Sequence, residues 1–351
     1  MSSRYTFAAE PTVDHWLEAA LAEMSADIAR LPCAAKVETV LLGGGYGRGE
    51  GGVLRRQGHP PRPYNDLDLF VIAKTADKTV ANAIDEAFAA LGKRWSQKLG
   101  IDVDFSRART LRYIARRQQV MMWQELLRGH RVVYGNRNVF VRPEFSRTPV
   151  PPLAEGVRLL MNRFAGLLWA RLRLEKRPFE AEDADFVARN INKAALACGE
   201  VLLMMCARYA YDTPERLKRL QTLDAPWFPH VCALRELYSQ AVEFKKYPEF
   251  PTEPEALRAR WDTVAVLAGN FFDAAKDKLA AACRPRGRNW IRFPLEYRKW
   301  GTSLRELGGA PAPFKSSVLT LLAIFRALMT KKEVLPQNER DLLWNLWQSI
   351  N

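Results

Sequence analysis

Eight residues, Gly43-Gly44-Gly45-Tyr46-Gly47-Arg48-Gly49-Glu50, carry five glycines and separate two apolar runs, Val37-Glu38-Thr39-Val40-Leu41-Leu42 and Leu67 to Ala73. So dense a set of glycines continues neither a strand nor a long helix; it makes a tight turn whose backbone can approach another group closely. The second apolar run opens on Asp66-Leu67-Asp68-Leu69-Phe70. Successive side chains of a strand point to opposite faces, so Asp66 and Asp68 share one face while Leu67 and Leu69 enter a core. Two neighbouring carboxylates repel each other. A divalent cation between them relieves the repulsion, and Mg²⁺ held by one or two carboxylates plus substrate phosphates is the common arrangement of phosphoryl-transfer sites.

The surrounding pattern predicts alternating helices and strands up to about residue 135. Val13, Trp16, Leu17, Ala20, Leu21, Met24 and Ile28 recur at helical spacing, with Thr12 or Asp14 able to cap the start. Val37–Leu42 and Leu67–Ala73 read as strands, Val80 to Leu91 as one face of a helix, and Ile101-Asp102-Val103-Asp104-Phe105 as a third strand whose aspartates share a face. A further helical pattern covers Arg112 to Leu127, and Gly129–Gly135 reads as extended. The prolines of Arg147-Thr148-Pro149-Val150-Pro151-Pro152 mark a linker. Beyond it the pattern is helical over 153–174, 185–210, 214–223, 255–281 and 316–329. The expected fold is therefore α+β: a mixed sheet with flanking helices over 1–147, then an all-helical bundle over 153–351, with a subdivision near 284–315.

With 351 residues the chain can bury a sizeable core, and its length suits two domains. The five cysteines are scattered without a Cys-x-x-Cys pair, and the four histidines do not stand at ligand spacing, which argues against zinc and for oxygen ligands to any metal. No run approaches the roughly 20 apolar residues that span a bilayer, and the first residues lack the apolar core of a signal peptide, so cytoplasmic residence without a membrane span is expected. The net charge of +14 attracts polyanions, nucleic acid among them, or serves solubility.

The order strand, glycine turn, Asp-apolar-Asp strand, helix, acidic strand resembles the DNA polymerase β-like nucleotidyltransferase superfamily over roughly residues 35–135. Its signature is an apolar residue, Gly then Gly or Ser, a short helix, Asp-apolar-Asp on one strand and a third Asp on a later one. The resemblance implies that Gly44 and Gly45 form the phosphate turn, with the helix opening around Tyr46-Gly47-Arg48-Gly49-Glu50. It implies that Asp66, Asp68 and Asp104 are the catalytic and metal-binding carboxylates, Asp102 being the alternative third acid. Mg²⁺, or Mn²⁺ in its place, is the implied cofactor. The implied reaction moves a nucleoside monophosphate from an NTP, ATP first among them, to an acceptor hydroxyl with release of pyrophosphate. Backbone N–H groups at a helix start that no side chain shields suit triphosphate oxygens.

Two features depart from that pattern. Gly45 stands where many members have Ser, and the connection from Glu50 to Asp66 is long, its Arg55, Arg56, His59 and Arg62 either reaching phosphate or decorating a solvated loop. Arg48 is a candidate phosphate ligand or a local ion-pair partner of Glu50. In the helical half, Lys193 is the candidate nucleotide contact, as some superfamily members use a bundle Lys; a solvated helix face including Arg189 and Asn190 is the competing reading. Arg284 to Trp300 interleaves basic and aromatic residues, as a strand-binding surface or a packed connector would. The acceptor itself is not legible; a small molecule or protein is favoured over an RNA end because no RNA-binding module accompanies the site. The rival expectation is a nucleotide- or nucleic-acid-binding protein without catalysis.

Overall fold

The computed structural model describes residues 4–146, 150–282 and 329. The first half of the linker, 147–149, the basic–aromatic stretch 284–300 and, apart from Met329, the helix expected over 316–329 lie outside the described residues. By contacts the chain divides into two units: Met1–Pro151 with Tyr211–Thr213 and Glu243–Pro248, and Pro152–Ala210 with Pro214–Val242 and Glu249–Asn351.

The first unit is a mixed α+β layer. Helix α1 (Pro11–Ala29) starts on Pro11, whose fixed φ suits the first helical position, and buries Val13, Leu17, Leu21, Met24 and Ile28. Neither Thr12 nor Asp14 is the cap: Glu10 is the N-cap, and the buried Asp14 carboxylate accepts the N–H groups of Tyr5 and Thr6 at 3.0 and 2.9 Å. Strand β1 (Val37–Leu42) runs into α2 (Gly44–Gly47), and then a small hairpin, β2 (Val53–Leu54) with β3 (Arg62–Pro63), leads to β4 (Leu67–Ala73). Helix α3 (Lys78–Leu99) is capped by Asp77, which accepts from Val80 N at 2.9 Å, and ends on Gly100 in the left-handed conformation. Strand β5 (Val103–Phe105) is shorter than the alternation suggests. The helix expected over 112–127 is broken into α4 (Leu111–Ala115) and α5 (Met121–Arg128), because turns at 114–120 intervene, where Arg117 N–H meets Ile114 O and Val120 N–H meets Arg117 O. Strand β6 (Arg131–Gly135) closes the sheet.

The sheet order is β5-β4-β1-β6, with β4 and β5 parallel and β1 antiparallel to both β4 and β6. Each strand residue chooses a face by parity. Leu67, Leu69 and Val71 of β4 join Val40 and Leu42 of β1 in a core shared with α1 and α3, whose Phe88 and Trp95 are nearly inaccessible. The opposite face carries Asp68, then Phe70 and Ile72, and the latter two pack with Leu41, Trp123 and Leu126 in a second, smaller core. One strand face thus changes from carboxylate to apolar within three residues.

The second unit is helical: α6 (Leu153–Leu174), α7 (Ala181–Met205), most of α8 (Thr213–Gln221) and α9 (Val231–Lys246), and α10 (Pro254–Ala282). A capping box of Glu180 and Asp183 starts α7. Helices α6 and α7 approach closely because Gly166 leaves room for Asn190: a Cβ on Gly166 would lie 2.2 Å from Asn190 Oδ1. Helix α9 is not among the helices expected from the sequence, although Leu234, Tyr238, Ala241 and Val242 do recur at helical spacing and are buried. No helix among the described residues is long and apolar enough to cross a membrane.

Candidate functional site

The glycine turn and the acidic strand meet through the backbone. Gly43 N–H donates to Asp68 O at 2.8 Å, continuing the pairing that sets Leu42 opposite Leu69. Gly44 follows with φ +56°, and a Cβ built on it would lie 1.9 Å from Asp68 Oδ2. The carboxylate therefore occupies the space that any side chain at position 44 would need. Gly45 differs: its Cβ would meet only ordinary contacts, the nearest being Glu50 O at 3.4 Å. Helix α2 occupies residues 44–47 rather than opening around 46–50, since Gly49, at φ +74°, turns the chain away. Gly44 and Gly45 stand in its first turn, where backbone N–H groups have no intrahelical partner. With a single turn there is no long dipole, so any attraction for an anion comes from those N–H groups themselves.

The parallel register of β4 and β5 sets Asp68 opposite Asp104. Asp66 lies one residue before β4 begins, and Leu67 N–H donates to Asp102 O at 2.9 Å, so the starts of the two strands are tied at the acids. Asp68 is half-buried, whereas Asp66, Asp102 and Asp104 are exposed. The Asp104 carboxyl is pushed above the ordinary carboxylate range, first by partial desolvation and then by the charges of Asp66 and Asp102. That repulsion is what a cation would relieve. Among the described residues, no group of three or more His, Cys, Asp or Glu side chains is gathered closely enough to hold a metal ion. The donor set fits the looser arrangement, in which one or two carboxylates serve Mg²⁺ and phosphate and water supply the remaining oxygens.

Tyr46 organises the surroundings. It is 1% exposed, and its hydroxyl donates to Gly52 O at 2.8 Å while accepting from Tyr64 N at 2.8 Å and Asn65 N at 3.2 Å. Burial pushes its phenol pKa up, and the nearby Asp66 charge adds to the effect. Asn65 Oδ1 in turn accepts Gly52 N–H at 3.0 Å. The long connection from Glu50 to Asp66 is thereby clamped at its base: the β2–β3 hairpin leaves and returns at Tyr46, and the chain re-enters β4 beside the turn it left. The sequence pattern points to neither Tyr46 nor Asn65, since a tyrosine between glycines carries no signal of what its hydroxyl meets.

Arg48 is engaged by acids rather than pointing alone into the site. Its guanidinium lies 3.0 Å from Glu125 Oε2 and 3.6 Å from Glu50 Oε2. Glu50, only 5% exposed, accepts Thr213 N–H at 2.7 Å, the Thr213 hydroxyl at 2.8 Å and Lys245 Nζ at 2.6 Å. Residues 211–213 and 243–248 are joined to the first unit through this buried carboxylate. Lys193 is an exposed residue of α7 in the second unit. Its helical neighbours are spoken for, Arg189 by Asp185 at 2.9 Å and Asn190 by Phe186 O at 2.8 Å.

The first unit therefore brings together Gly44, Asp68 and Asp104, keeps Asp66 within electrostatic reach, and pairs Arg48 with carboxylates. Set against models of protein families, curated proteins and solved structures, the chain matches none. Chemically, the arrangement offers first-turn backbone N–H groups without an intrahelical partner beside an oxygen donor set that favours a hard cation, with one acid of raised proton affinity.

Proposed function

We propose that the chain is a Mg²⁺-dependent nucleotidyltransferase of the DNA polymerase β-like kind, moving a nucleoside monophosphate from an NTP to an acceptor hydroxyl. One observation carries the reading: Gly44, at φ +56°, fits only because it has no side chain, and what fills the vacated space is the carboxylate of Asp68, paired in register with Asp104. A solvated acidic strand edge has no need of a left-handed glycine against one of its acids. The N–H groups of Gly44 and Gly45 would bind triphosphate oxygens. Asp66 and Asp68 would hold Mg²⁺ together with those oxygens, with Asp104 the third ligand or the base. The chemistry Mg²⁺ supplies when bound is neutralisation of phosphate charge and polarisation of the reacting phosphorus. Asp104, with its raised proton affinity, suits the general base. The acceptor oxygen forms a bond to the α-phosphorus, the bond from that phosphorus to pyrophosphate breaks, and the acceptor proton passes to Asp104.

A second reading, nucleotide or nucleic-acid binding without transfer, is favoured by the lack of a compact three-ligand group among the described residues and by the +14 charge. Incubation of the purified chain with α-labelled NTPs and a cell extract separates the two. The transferase reading expects Mg²⁺-dependent pyrophosphate release and label on a small molecule or protein, both lost in Asp68→Asn. Binding without pyrophosphate release in any extract supports the second reading.

A further inference from the structure

A cavity of about 840 Å³ lies in the first unit between the β2–β3 hairpin, the start of α1 and the α3–β5 connection. Its wall contains Arg56, His59, Arg62 and Lys98 and no Asp or Glu. Lys98 is paired with Glu23, but among the described residues neither the guanidinium groups of Arg56 and Arg62 nor the His59 ring has a hydrogen-bond or ion-pair partner. Elsewhere in the same unit the arginines around the hairpin are neutralised, Arg55 by Glu10 at 2.7 Å and Arg48 by Glu125. Two aromatic rings complete the wall: Trp16, which leaves 37% of its surface exposed, and Tyr64, edge-on to Phe244 at 6.0 Å between centroids. Three prolines, Pro60, Pro61 and Pro63, stiffen the hairpin side.

The cavity stands at the same end of the sheet as the acids. Tyr64 is two residues before Asp66 and Ile101 one residue before Asp102, and the Leu67 N–H to Asp102 O bond ties those two chain segments together. Its volume is that of a pocket for a single small molecule, a few hundred to about 1,000 Å³. A wall with three unpaired basic groups, no acid and two flat apolar rings selects a ligand that is anionic at one end and cyclic at the other.

We infer that this cavity binds the acceptor, and that the acceptor is a small ring compound bearing a phosphate, a sugar or nucleoside phosphate. The inference rests on the transferase reading for the word acceptor; the binding itself does not. Guanidinium groups of Arg56 and Arg62 hold the phosphate, and the Trp16 ring packs against the cyclic part, which leaves a hydroxyl directed towards the end of the sheet that carries Asp66 and Asp102.

The test is calorimetric titration in EDTA, where Mg²⁺-dependent NTP binding is silent. Matched pairs serve as probes: glucose 6-phosphate and glucose, ribose 5-phosphate and ribose, uridine monophosphate and uridine. At least one phosphate is expected to bind where its unphosphorylated partner does not, and the double variant Arg56→Ala/Arg62→Ala is expected to weaken it by about tenfold or more. Both arginines are exposed, so the variant should keep the wild-type Tm and the wild-type affinity for Mg²⁺·NTP. The proposal is overturned if no phosphate distinguishes wild type from the double variant. It is equally overturned if single-stranded oligonucleotides bind more tightly with each added nucleotide up to about twelve and lose that binding in the variant, which would make the wall a nucleic-acid surface. Failure of Mg²⁺·NTP to bind in a separate titration would remove the transferase reading and leave the EDTA result standing.

Discussion

Gly44 and Gly45 are neighbours of the same type with opposite constraints. A side chain at 44 faces both the left-handed φ and the Asp68 carboxylate, so Gly44→Ala should cost about 1–2 kcal/mol from the backbone alone and displace the carboxylate. A side chain at 45 meets ordinary contacts, so Gly45→Ser should keep the wild-type Tm. Thermal unfolding followed by Mg²⁺·NTP titration checks both: loss of binding in Gly44→Ala with retention in Gly45→Ser is expected, and a Gly44→Ala variant indistinguishable from wild type would refute the constraint. Asp104 gives a prediction of the opposite sign. Its pKa is raised in the fold, so the folded chain holds that proton more tightly than the unfolded one, and stability falls as pH rises from the ordinary carboxylate value through the raised one. Above that window the charge is a standing cost. Asp104→Asn should therefore raise Tm at pH 7, with the gain vanishing below about pH 4, while Mg²⁺ no longer adds the stability it adds to wild type. A lower Tm at pH 7 would contradict this. The acids were legible because parity on a strand is a covalent fact; the clash at Gly44 was not, because a glycine's reason lies in the neighbour it makes room for.

The Tyr46 hydroxyl joins the glycine turn to both ends of the β2–β3 hairpin. Tyr46→Phe removes the part-buried acceptor for Tyr64 and Asn65 N–H and the buried donor to Gly52 O, which should destabilise the first unit by about 1–3 kcal/mol. Because Asn65 precedes Asp66, the same variant should also require more Mg²⁺ for NTP binding; urea unfolding and a Mg²⁺ titration read the two effects apart. Unchanged Mg²⁺ dependence in a destabilised variant would leave Tyr46 a purely structural anchor. Strands β1 and β4 and helix α6 follow the expected bounds: β1 stops at the glycines from Gly43, α6 starts after Pro152, and β4 runs from the acids to the polar Lys74. The β2–β3 hairpin was not legible: its strands are two residues long and its closure depends on Tyr46, outside the segment itself. The break between α4 and α5 likewise follows from local turns that a helical apolar spacing hides.

At the scale of the whole chain, the division near Pro151 coincides with a run of prolines, which sequence makes plain. The assignment of Tyr211–Thr213 and Glu243–Pro248 to the first unit was invisible there, since it depends on the buried Glu50 carboxylate meeting Thr213 and Lys245 far along the chain. The +14 charge draws anions to the surface without saying which; the proposed triphosphate rests on the glycine turn and its acids, and the proposed second, phosphate-bearing partner on the basic cavity. The proposed triphosphate site stands on Mg²⁺-dependent NTP binding. Calorimetric titration of the full chain with each NTP, with and without Mg²⁺, tests it most directly: Mg²⁺-dependent binding of at least one NTP that disappears in Asp68→Asn is the predicted result, and no binding of any NTP, or binding indifferent both to Mg²⁺ and to Asp68→Asn, would contradict it.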